Sequence, residues 1–193
     1  MAVNLFITGE KRIGKSSLLK EMIEPYRYSA DGFFTQRIYM PAYNGCAFRM
    51  VELSSTESYT LEVHMQNISK EFMKSVSSTI FFCKDASGVC RKNPEVFDLT
   101  GSAILENALK SKKPLVIIDE IGRFEQSAKS YLMILEKLLD SDIRILGVLQ
   151  KDAGELTARI AKRLDTKVLE LNESNSFLIK AEITAFLKQI PIY

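Results

Sequence analysis

The run Gly9-Glu10-Lys11-Arg12-Ile13-Gly14-Lys15-Ser16 constrains the fold more than any other stretch of the chain. Val3-Asn4-Leu5-Phe6-Ile7 precedes it, and Ser17-Leu18-Leu19-Lys20-Glu21-Met22-Ile23 follows. An apolar run, a glycine-bounded loop and a helical stripe read as strand, loop and helix, with the G-x-x-x-x-G-K-[ST] spacing of a phosphate-binding loop. A polyphosphate is held best where backbone N–H groups turn inward at a helix N-terminus and glycine permits close approach. Gly9, Glu10, Lys11, Arg12, Ile13, Gly14, Lys15, Ser16 and Ser17 are therefore expected to line the anion. Lys15 is expected at the terminal phosphates, and the Ser16 hydroxyl on a Mg²⁺ ion that bridges phosphate oxygens.

A loop of this kind works inside a covered sheet, and the rest of the chain supplies one. With 193 residues, 46% of them apolar, the chain can bury one core, so 1–193 reads as a single domain. Pro25 ends the first helix. Gly32 to Ile38 and Gly45 to Leu53 read as a hairpin, joined by the turn signal of Pro41 to Gly45. Thr100 to Leu109 reads as a helix with Ile104, Leu105, Ala108 and Leu109 inward, and Leu115 to Ile118 as a strand buried on both faces. Tyr131, Leu135 and Leu138 mark another helix; Ile143 to Leu149 and Lys167 to Leu171 are strands, the second edge-like. Ser174 to Ile190 closes the chain as a helix with Leu178, Ala181, Ala185 and Phe186 inward. The fold class is α/β: a mostly parallel central sheet, helices on both faces, and a β-hairpin added after the first helix. Residues 54–93 carry the weakest pattern, with one short helix suggested by Ile68, Phe72, Met73 and Val76; the segment reads as a variable insertion or lid.

Charge and cysteine usage narrow the partners. A net charge of +2 gives no strong field for nucleic acid or an anionic membrane, so neither is expected as a partner. The first apolar run is too short to span a bilayer and lacks a cleavage signal, which points to a cytoplasmic protein. Cys46, Cys83 and Cys90 are odd in number and lack the C-x-x-C spacing, and His64 is the sole histidine. Free thiols are the expectation.

A phosphate loop needs an acidic partner at the end of another strand. Asp119 and Glu120 stand directly after Val116-Ile117-Ile118. Asp119 is placed to hold Mg²⁺, and a carboxylate one position on can orient or deprotonate an attacking water. The run Asp119-Glu120-Ile121-Gly122-Arg123-Phe124-Glu125 resembles the DEIG-x-x-E Walker B signature of the small P-loop nucleoside-triphosphatase family that includes cancer-related nucleoside-triphosphatase. Gly32-Phe33-Phe34-Thr35 is similar to that family's G-F-aromatic-T strand, and Asn172-Glu173-Ser174-Asn175 to its late T-x-E-N segment.

The resemblance implies a P-loop NTPase fold and Mg²⁺-dependent hydrolysis of several nucleoside triphosphates, with ATP or GTP as the bound nucleotide. It also implies that Asp119 holds the metal together with Ser16 and that Glu120 and Lys15 are catalytic; Arg163 matches a family arginine, as a stabiliser of charge on the phosphates or as an ordinary surface ion-pair residue. Arg123 and Glu125 match the motif, as catalytic groups or as helix-start ion-pair residues, and Gln150 is a weaker candidate for orienting water. The chain departs from the family at Arg12, which replaces a loop glycine, at Arg37, where a glutamate is common, and at Ser176, where an arginine often follows. Two other readings stay open at this level: a nucleotide-loaded switch or partner-binding module with little turnover, and a small-molecule kinase.

Overall fold

The computed structural model describes residues 4–40, 44–54, 59–64, 74, 77–111 and 113–190. Strand β1 (Asn4–Gly9) leads into helix α1 (Lys15–Ile23), and a 3₁₀ turn carrying Pro25 in its first positions leads on to β2 (Ala30–Met40) and β3 (Gly45–Glu52). Short strands β4 (Glu62–His64), β5 (Ile80–Lys84) and β6 (Cys90–Lys92) follow. A π-helical turn, Phe97–Gly101, opens into α2 (Ser102–Ser111), and then come β7 (Leu115–Ile121), α3 (Lys129–Leu139) and β8 (Arg144–Leu149). The chain closes with α4 (Glu155–Ala161), β9 (Thr166–Leu171) and α5 (Ser176–Leu187).

These strands form one sheet in the order β6-β5-β3-β2-β7-β8-β1-β9, with β4 beside the far half of β2. The five strands from β2 to β9 pair in parallel. β3, β5 and β6 are antiparallel additions, and the expected hairpin is the β2–β3 pair. Consecutive apolar residues on the central strands serve opposite faces. Val116, Ile118 and Ile145 meet α2, α3 and α4 on one side, while Leu115, Ile117, Leu146 and Val148 meet α1 and α5 on the other. A run without alternation is what a doubly covered parallel strand requires.

β2 is longer than its neighbour. Ala30 to Phe34 pair with β7, and Arg37 to Tyr39 continue past the end of β7 to pair with β4. The crossing is close at Gly32, which has φ +106° and whose added Cβ would collide with the Ile117 carbonyl. Only glycine fits there.

Sequence patterning missed four described elements. β4, β5 and β6 are three to five residues long, and α4 is a seven-residue helix whose apolar residues make a short stripe. The described parts of 54–93 extend the sheet; the short helix expected around Ile68 to Val76 lies outside the described residues. The last helix turns a different face inward: Ile179, Ile183, Phe186 and Leu187 are buried, and Leu178, Ala181 and Ala185 are exposed. Among the described residues no helix is long and apolar enough to cross a membrane.

Candidate active site

The loop after β1 turns at Arg12, whose φ of 67° is left-handed, and again at Gly14, with φ 101°, the residue that caps α1. Arg12 thus keeps a geometry natural to glycine, at a cost of about 1 kcal/mol or more. Lys15 is buried and folds back over the loop, donating from Nζ to the Gly9 carbonyl at 2.9 Å and the Glu10 carbonyl at 2.8 Å. Glu10, Lys11, Arg12 and Ser17 are exposed around it, with Ile13, Gly14 and Ser16 partly so.

The parallel strands end at this same edge, and β7 delivers Asp119 to it. The Ser16 hydroxyl donates to Asp119 Oδ1 at 2.8 Å across 103 residues of chain. The Thr35 hydroxyl of β2 donates to the Asp119 carbonyl at 2.6 Å and fixes the strand end. Asp119 is fully buried, and Oδ2 has no hydrogen-bond partner. Burial pushes its carboxyl up to about 7, against the bond from Ser16 and with the Glu120 charge adding to the rise. A buried carboxylate oxygen with no partner, beside a serine hydroxyl, fits Mg²⁺, which takes hard oxygen ligands and needs only one or two from protein when phosphates supply others. Among the described residues no group of three or more His, Cys, Asp or Glu could hold a metal without such help.

Glu120 follows on the strand. Burial raises its carboxyl, and the charges of Lys15 and Lys11 oppose that rise, so both cations act on it. Glu125 is buried too, and its Oε2 accepts the Gly122 N–H at 2.9 Å, holding the turn that leaves β7. Burial pushes it up to about 7. Gln150, at the end of β8, packs its side-chain amide against Gly122, with Oε1 buried and unpartnered.

A family model described as NTPase matches residues 4–184. The chain belongs to the NTPase family. Nucleoside-triphosphatase THEP1 of Thermotoga petrophila is 27% identical over 186 residues, covering 96% of this chain and 93% of its own. The cancer-related nucleoside-triphosphatase homolog of Mus musculus is 25% identical over 198 residues, covering 97% and 98%. The crystal structure of THEP1 from the hyperthermophile Aquifex aeolicus superposes with a TM-score of 0.70 at 21% identity, over 96% of this chain and 99% of that one, and so shares the fold.

Within this NTPase-family frame the structure brings together Lys15, Ser16, Asp119 and Glu120, and it corrects one expectation. Arg163 is not at the phosphate loop. It precedes β9 at the opposite end of the sheet, donating to both Asp165 carboxylate oxygens at 3.0 Å, to the Leu139 carbonyl at 3.0 Å and to Asp140 Oδ1 at 2.8 Å. The Asp165 carbonyl accepts the Asn4 N–H, where β1 begins. A side chain committed to those acceptors at the starts of the strands cannot serve an anion at their ends. Arg123 is exposed and donates to the Asp152 carbonyl at 3.3 Å.

Sequence reasoning passed over Lys151, the residue after Gln150. Its Nζ bonds Glu10 of the loop and Glu170 of β9, both at 2.8 Å, and so ties the loop tip to two strand ends. Its position just past an apolar strand was the available signal. Thr35 lay inside a quoted motif without a role. Cys46, Cys83 and Cys90 are free, and His64 stacks on Tyr39 at 4.9 Å between ring centroids.

Proposed function

We propose that this protein is a Mg²⁺-dependent nucleoside-triphosphate hydrolase, broad in base, that releases phosphate by in-line attack of water on the γ-phosphate. The carrying observation is the Ser16–Asp119 hydrogen bond, which joins the phosphate loop to the strand bearing Glu120. Hydrolysis of nucleoside triphosphates is also the activity in the names of its relatives.

Ser16 and Asp119 would hold Mg²⁺, which when bound neutralises charge on the phosphate oxygens. Lys15 now donates to two neutral carbonyls; exchanging these for anionic phosphate oxygens strengthens its hydrogen bonds and charge pairing. The loop amides and the α1 N-terminus bind the rest of the phosphate chain. Glu120 stands beside Asp119, with its proton affinity raised by burial, as suits a group that takes a proton from water.

Phosphate release from ATP, GTP, CTP and UTP with Mg²⁺, run beside Glu120→Gln, tests the reading. The variant is expected to lose roughly 10²–10⁴-fold in kcat while binding nucleotide within a few-fold of wild type. Turnover undiminished in Glu120→Gln sinks the assignment of Glu120; tight binding without release by the wild type sinks hydrolysis.

A further inference from the structure

Phe177 lies in the first turn of α5 and is 81% exposed, an unusual position for an aromatic ring of that size. Its place in the fold follows from two pairings. β9 pairs with β1 in a register that sets Leu171 opposite Gly9, so α5 begins just beyond the phosphate loop, after the turn 172–175. Lys180, three residues after Phe177 and on the same flank of the helix, donates to Glu21 of α1 at 2.6 Å. Phe177 therefore stands one turn nearer the loop than Lys180, its ring open to solvent, and the exposed Ser17 opens the first turn of the neighbouring α1.

The chemistry is at the other side. Ser16 bonds Asp119 of β7, the strand that also carries Glu120 and lies beyond β8 from β1, whereas β9 and α5 lie on the opposite side of β1. A polyphosphate laid across the α1 N-terminus with its terminal phosphate toward β7 would carry its other end toward β9 and α5.

We propose that Phe177 is the platform on which the base of the nucleotide stacks, an inference that rests on the function proposed above. Three polar side chains of the turn before it, Asn172, Ser174 and Asn175, are bonded within the turn itself. Asn175 accepts the Asn172 N–H at 2.9 Å and donates to the Glu170 carbonyl at 2.8 Å, and Asn172 Oδ1 takes the N–H and hydroxyl of Ser174. Recognition then falls to the ring face, which every base can use. The substrate class is any nucleoside triphosphate, distinguished from inorganic triphosphate by the stacked base.

Calorimetric titration with Mg²⁺ and the β,γ-imido analogues of ATP, GTP, CTP and UTP, beside inorganic triphosphate, tests this on wild type, Phe177→Ala and Phe177→Trp. Phe177→Ala is expected to weaken all four nucleotides about tenfold and leave triphosphate unchanged, with Phe177→Trp restoring affinity. Unchanged nucleotide affinity in a folded Phe177→Ala overturns the platform, as does a loss confined to one base. Triphosphate bound as tightly as the nucleotides by wild type overturns the platform and leaves the phosphate site standing. Binding of neither ligand removes the nucleotide reading, and the platform with it.

Discussion

Glu125 shows what a single buried carboxyl does in this site. It has no described cationic partner; burial outweighs the backbone N–H bonds that favour its charged form, the Glu120 charge adds to the rise, and its carboxyl is pushed up to about 7. The folded state then holds a proton that the unfolded chain has already released above about pH 4. Stability from this group is present at low pH and is lost as pH climbs toward 7, a swing on the order of 3 kcal/mol at most. Glu125→Gln keeps an acceptor for Gly122 without the charge. Urea unfolding is expected to find it more stable than wild type at pH 8 by a large part of that amount and nearly equal at pH 5. A difference that does not change with pH counts against a buried, titrating Glu125. Asp119 titrates in both proteins and cancels in the comparison. Neither its burial nor that of Glu125 is legible in a motif, because desolvation depends on what packs over the strand end.

At the scale of elements, the β2–β7 crossing sets the site, because Thr35 reaches Asp119 only if β2 lies flush against β7. Gly32 makes that possible. Gly32→Ala puts a methyl into the Ile117 backbone at a φ that L residues rarely adopt, and is expected to cost roughly 3 kcal/mol or more. For a chain of this size that lowers Tm by about 10 °C, readable in a calorimetric melt. A wild-type Tm would mean that the strands do not approach so closely. The local motifs placed β1, α1 and β7 well, since each depends on its own spacing and on apolar runs buried on both faces. The short strands β4 to β6 carry too few residues for a period to emerge; β4 and β5 pair with strands some distance back in the chain, and β6 closes a hairpin on β5.

The whole molecule divides its labour between the two ends of one parallel sheet. The carboxyl ends of the strands gather the phosphate loop, Asp119 and Glu120; the starts carry the Arg163 cluster, which pins the end of α3 to the approach to β9. Arg163→Ala is expected to destabilise the fold by about 1–3 kcal/mol, since it strips hydrogen bonds from charged and carbonyl partners, and to leave kcat/KM per folded molecule unchanged. A tenfold loss of kcat/KM with stability intact would return Arg163 to the chemistry. By itself the sequence determined the glycine-bounded loop between β1 and α1, the acidic pair at the end of β7 and the doubly covered α/β sheet, because these rest on residue types at fixed spacing and on periodicities that act locally. Only the tertiary structure decided which end of the sheet Arg163 occupies, that Lys151 ties Glu10 to Glu170, and which flank of α5 is buried. The parallel direction of β9 sets the first and strand order the second. The third escapes a 3.6-residue period because Phe177, Leu178, Ile179, Ala181, Ile183, Ala185, Phe186 and Leu187 give α5 apolar residues on more than one side, and packing against α1 and β9 selects among them.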